Sequence, residues 1–181
     1  MDRAGQPSAR GPSTGRQVAR YLRDLRPVLT APRMARRQWI REVGLLIEEA
    51  RTGDPIALAR RAGRQGREAA PIFREARRRL DDLRPPPECQ VLHDATGRWI
   101  ALHVEACEAL IRTEQQRAPR PLREVHERLI LARAQAQRFK DEYARLVEQL
   151  RAQVAAASAR DGRWDVWPLG RLRSLFGPRE T

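Results

Sequence analysis

The chain has 181 residues, 41% hydrophobic, 33% charged and only 5% aromatic, with a formal charge of +13. That length suits one domain with tails, and the charge-rich, aromatic-poor balance suits amphipathic helices; no alternating β-branched or aromatic runs read as strands. Two cysteines do not make a disulfide framework, no apolar run approaches the ~20 residues that span a bilayer, and the opening MDRAGQPSARGPSTGR has no apolar signal core, so the expected location is the cytoplasm.

Residues 1–15 are rich in Gly, Pro, Ser and Arg, with almost nothing to bury, and are expected to be disordered. A first helix is expected over 16–51, with an apolar stripe through Tyr21, Leu22, Leu25, Leu29, Trp39, Val43, Leu46 and Ala50. Pro27 and Pro32 fall inside it. Proline has no N–H for the bond to residue i−4, so a kink or break is expected there. Gly53, Asp54 and Pro55 then supply a stop, an N-cap and a first helical position.

The second helix is expected over 55–83, on Ala59, Ala62, Gly66, Ala69, Phe73, Ala76, Leu80 and Leu83. Its first half is all small residues, and Gly63 and Gly66 read as positions of close helix approach. Pro71 should bend it, and RPPP (84–87) forces a restart. The third helix is expected over 87–116, ended by QRAPRP. The fourth, 121–157, carries Leu122, Val125, Leu129, Ala132, Ala136, Phe139, Tyr143, Leu146 and Leu150. SARDG (158–162) reads as a linker to a short amphipathic segment within 158–181. There Trp164, Trp167, Leu169, Leu172, Leu175 and Phe176 are candidates for contact with a partner or a membrane.

Short connections favour antiparallel neighbours, and a seven-residue stripe favours shallow left-handed packing. The expected fold is therefore all-α: an up-down-up-down four-helix bundle over 16–157, with coiled-coil-like packing. The alternative is a three-helix bundle of the last three helices, with the first broken in two.

The third helix holds both cysteines and two of the three histidines, in the order Cys89, His93, His103, Cys107. At about 100° per residue all four fall within about 40° of one line. C-x3-H and H-x3-C are each spaced to grip a metal, but Cys89 and Cys107 lie about 27 Å apart along a helix axis. One chain can close neither a disulfide nor a four-ligand site between them. A Cys2His2 metal site would need an antiparallel copy of the helix from a second chain. The competing reading places all four in the core, because Leu92, Trp99, Ile100, Val104, Leu110 and Ile111 share their arc. Buried histidines would then be neutral and bonded to Tyr21, Tyr143 or a backbone carbonyl.

Lys140 is the only lysine among 36 basic residues, a skew consistent with a GC-rich bacterial genome. The charge is uneven along the chain. Residues 1–41 set ten arginines against Asp2 and Asp24, and 54–84 set nine against five acids. Residues 87–118 reverse the balance, with three arginines against five acids. Clusters at 33–41, 60–67 and 74–79 could attract nucleic acid or an anionic membrane surface. Against nucleic acid, acids interleave most helices and no stacking aromatics punctuate the basic runs.

Phosphate-binding glycine loops, nucleophile elbows, zinc-protease motifs and the Glu-x-x-His pair of di-iron bundles are all missing from the sequence. No catalytic residue, cofactor or metal is expected. The expected function is a non-enzymatic interaction or scaffolding module for an unknown protein partner, with oligomerisation open. The alternative is sequence-independent nucleic-acid binding or peripheral membrane association.

LDDLRPPPECQVLH (80–93) resembles the L-x-x-L-x-P-P-…-H junction of uncharacterised bacterial helical-bundle proteins. The resemblance covers about 80–113. It implies a helix ending at the prolines and a histidine in the next helix, and carries no implication for activity. Many of those proteins are secreted or lipid-anchored, whereas a signal peptide and lipobox are not seen here, so their location is not carried over.

Overall fold

A computed structural model describes residues 15–117 and 120–161. Four helices follow one another: α1 (Gly15–Glu49), α2 (Pro55–Asp81), α3 (Gln90–Gln116) and α4 (Arg120–Asp161), with one 3-10 turn, Pro87–Cys89, before α3. Each packs against the next in an up-down-up-down bundle. The interfaces of α3 with α2 and α4 are the most extensive; α1 leans on α2 and touches α4 over a shorter stretch. The three-helix alternative is therefore set aside. Residues 1–14 of the expected disordered arm and the tail from 162 onward, with Trp164, Trp167, Leu169, Leu172, Leu175 and Phe176, lie outside the described residues, while Gly15 opens α1.

The first helix is not broken. α1 runs as one α-helix through both Pro27 and Pro32. Each interior proline costs a helix about 3 kcal/mol. The flanking stripe outweighs that cost: Val18, Tyr21, Leu22, Leu25, Val28, Leu29, Trp39, Val43 and Leu46 are all buried, and such side chains contribute about 1.5–3 kcal/mol each. Past α1, the Asp54 carboxylate accepts from Ile56 N at 3.0 Å and Ala57 N at 3.3 Å, with Pro55 at the first helical position. These bonds satisfy two of the amides that every helix start leaves without an intrahelical partner.

Other boundaries also move. α2 passes through Pro71 and ends at Asp81 rather than 83. Pro87 to Cys89 form a 3-10 turn, so Cys89 caps α3 instead of opening it. α4 continues through 158–161, which had read as linker; Ala155–Ala157 and Ala159 are strong helix formers and carry it on. α3 is capped by Arg117, a non-glycine residue at φ 49°.

The core is one cluster fed by all four helices. The whole predicted stripe of α4 faces it, with Leu122, Val125, Ala132 and Leu146 buried and the other five partly buried. Gly66 marks a close approach of α2 to the backbone of α3: a Cβ there would lie 2.5 Å from the Cys107 carbonyl oxygen. The Gly63 position abuts the Glu114 side chain rather than backbone.

Candidate functional site

The Cys/His row is brought to the inside of the bundle. Cys89, His103 and Cys107 have no exposed surface, and both thiols are free. Burial pushes each thiol up to about 12, so both stay protonated and unreactive at neutral pH. His93 is half-buried, and its Nδ1 is hydrogen-bonded to the Tyr21 hydroxyl at 3.0 Å. Burial lowers its pKa, against the opposing charge of Asp94. Cys89, His103 and Cys107 are closed off by the packed helices, so an intermolecular Cys2His2 site would require those helices to part. Among the described residues no group of three or more His, Cys, Asp or Glu is placed to hold a metal.

His103 occupies an aromatic box built from three helices. Its ring stacks on Phe73 of α2 at 4.8 Å, lies 4.6 Å from the Trp99 ring of α3, and 5.9 Å from the Trp39 ring of α1. His103 Nδ1 is 2.8 Å from the Trp99 carbonyl oxygen. A carbonyl only accepts, so Nδ1 carries the proton and Nε2 is bare in the neutral ring. Burial drives the pKa down to about 4, against the opposing hydrogen bond and with the Arg36 charge assisting. Among the described residues, Nε2 has no hydrogen-bond partner, and neither do the buried Trp39 Nε1 and Arg36 Nε. Sealed this way, the imidazole holds the core together and has no path to a dissolved substrate. A shallow depression of about 400 Å³ lies between Tyr21 and Asp24 of α1 and the Asp82–Pro86 connection.

The exposed surface divides by charge. On α2 to α4 most guanidinium groups meet carboxylates. Arg74 reaches Glu108 at 2.9 Å, Arg67 pairs with Glu114, and Arg61 reaches back to Glu49 at 2.5 Å. Between α3 and α4, Arg112 meets Glu124 at 2.5 Å and Arg128 meets Glu105 at 2.7 Å. Arg78 and Arg79 together hold the Glu75 carboxyl down to about 2. Among the described side chains of these helices, Arg60, Arg64, Arg133, Arg138 and Lys140 have no carboxylate partner within 4.0 Å; Arg60 still lies close enough to depress Glu114.

α1 is different. Arg16, Arg20, Arg23, Arg26, Arg33, Arg37 and Arg41 are all exposed. At about 100° per residue they occupy an arc of about 140° opposite the buried stripe. Asp24 is the one acid between residues 15 and 41, and it meets Arg20 at 3.8 Å and Arg23 at 3.6 Å. Arg16, Arg26, Arg37 and Arg41 have no carboxylate partner among the described residues. Partial burial and the neighbouring Arg37 charge lower the Arg33 pKa. The cluster at 33–41 was legible in the sequence; its continuation to Arg16 along one outer face shows when the helical angles are extended through both prolines.

Comparison with protein-family models, curated proteins and solved structures returns no match to this chain. No helix among the described residues is long and apolar enough to cross a membrane.

Proposed function

We propose that the bundle is a non-enzymatic interaction module whose contact surface is the outer face of α1 and whose partner is anionic. The observation that carries this reading is the contrast in pairing: surface arginines of α2 to α4 are mostly matched with acids, whereas those of α1 form a row with one acid among them. The groups that do chemistry elsewhere in biology, two thiols and an imidazole, are here protonated or neutral and sealed in the core. That supports a structural role for them. Placement in the cytoplasm belongs to the same reading, supported by a cysteine count of two, which makes no disulfide framework.

Affinity capture with the full chain tests the reading. The native protein and the variant Arg26→Glu/Arg37→Glu/Arg41→Glu are compared at about 50 and 500 mM salt, a range over which surface electrostatics are progressively screened. A partner should be retained by the native chain at low salt and lost both at high salt and from the variant. Equal capture by the two chains would remove α1 as the contact surface.

A further inference from the structure

We propose that the arginine row of α1 binds the phosphate backbone of duplex nucleic acid, without reading base sequence. This rests on the assignment of α1's outer face as the contact surface and names its partner. From Arg16 to Arg41 the row runs 25 residues, about 37 Å at the helical rise. That is about one duplex turn of 34–36 Å. A major groove admits an α-helix, and a fan of about 140° lets arginines on either flank reach the phosphates of both strands. Guanidinium groups suit this task, since they meet phosphate oxygens in pairs.

Two features favour a duplex over other polyanions. Proteins that hold single strands stack bases on aromatic side chains, and the aromatics of α1, Tyr21 and Trp39, are both buried on the opposite arc. A membrane-surface helix sinks its apolar face into the lipid boundary, and the apolar face of α1 is already packed in the bundle core. The exposed large apolar side chains of α1 are Met34 and Leu45, too few to replace it. What remains on offer is a dense row of positive charge, matched to a duplex that carries one negative charge per ~1.7 Å.

Fluorescence anisotropy with a labelled duplex DNA of about 25 base pairs and arbitrary sequence tests the proposal, using the full chain over about 50–200 mM salt. Five to seven phosphate contacts give a slope of log K against log salt of about −5 to −6, at roughly −0.9 per phosphate. The variant Arg26→Gln/Arg37→Gln/Arg41→Gln should flatten that slope by about 2.5 and weaken binding at 100 mM salt on the order of a hundred-fold. A control variant, Arg133→Gln/Arg138→Gln/Lys140→Gln, removes as many exposed charges from α4 and should change the slope by less than about 1. All six side chains are exposed, so helical circular dichroism should be unchanged in both variants. Failure of the native chain to bind the duplex at 50 mM salt would overturn the proposal. So would equal flattening by the α4 control, or binding to phosphatidylserine vesicles without binding to duplex. If capture of a partner still depends on the α1 arginines while the duplex is not bound, the nucleic-acid assignment falls and the contact surface stands.

Discussion

Acidification from pH 7 to 4.5 is expected to cost the native bundle about 2 kcal/mol through His103 alone. The ring is held neutral in the folded state, with its pKa lowered from 6.5 to about 4. Between those values the unfolded chain binds a proton that the folded chain refuses, so stability rises with pH across that window. His103 therefore adds no pH-dependent loss above about pH 6.5, and its contribution falls progressively as pH drops toward 4. At pH 4.5 the difference in proton binding, taken relative to pH 7, amounts to about 2 kcal/mol. For a chain of this length that is roughly 4–8 °C in Tm. The comparison is with His103→Leu, which keeps the volume and removes the titration. Removing the partnerless Nε2 should hold the variant within about 1 kcal/mol of native at pH 7. Urea unfolding of both proteins, followed by tryptophan fluorescence at pH 7 and 4.5, isolates the effect, because the carboxylates and His93 are common to both. If the two proteins lose the same stability on acidification, His103 is not the sealed neutral group described, and the account of the aromatic box is wrong.

Three further outcomes test the packing. Gly66→Ala should destabilise by more than 1 kcal/mol despite a gain of about 1 kcal/mol in helix propensity, because its Cβ would stand 2.5 Å from the Cys107 carbonyl; Gly44→Ala, with nothing within 4 Å, should stabilise by up to about 1 kcal/mol in the same urea titration. Pro27 is exposed inside α1, so Pro27→Ala restores an amide to the Arg23 carbonyl and should raise stability by about 1–3 kcal/mol, measured by thermal melting; an unchanged or lower Tm would mean that the local backbone depends on the ring. Both thiols should react with a disulfide reagent at neutral pH only as fast as the bundle opens, and at once in denaturant; prompt labelling of either in the native protein would contradict its burial.

The angular map of α3 was legible from spacing alone, and so was the inward direction of its Cys/His row, because helical periodicity is local. The company His103 keeps was not. Trp39 and Phe73 reach it from α1 and α2, and no pattern within α3 indicates which side chains arrive from other helices. The same limit explains α1. Pro27 and Pro32 are strong local signals against a continuous helix, and they are overruled by burial against partners distant in sequence. At the end of α4 the error had the opposite origin, since Ser158, Arg160 and Asp161 look like linker by type while the alanines beside them propagate a helix already nucleated upstream.

The meaning of the charge turns on the same distinction between composition and placement. An arginine-rich genome raises the number of arginines on every solvent-facing position, and by itself it predicts a similar excess on every helix. The excess of α2 lies beside the acids of α3, and Arg67 with Glu114 and Arg74 with Glu108 join the two helices across their interface. α1 has Asp24 alone along most of its length. Like charges at helical spacing repel by a few tenths of a kcal/mol per pair, so a row of seven is a standing cost that the bundle does not need for folding, since the buried stripe on the other side already holds α1 in place. An anionic partner turns that cost into affinity. Replacing Arg26, Arg37 and Arg41 with glutamine should therefore leave the bundle as stable as before, or slightly more so, in low salt while weakening its hold on the duplex. A loss of stability on that substitution would mean that the row serves the fold.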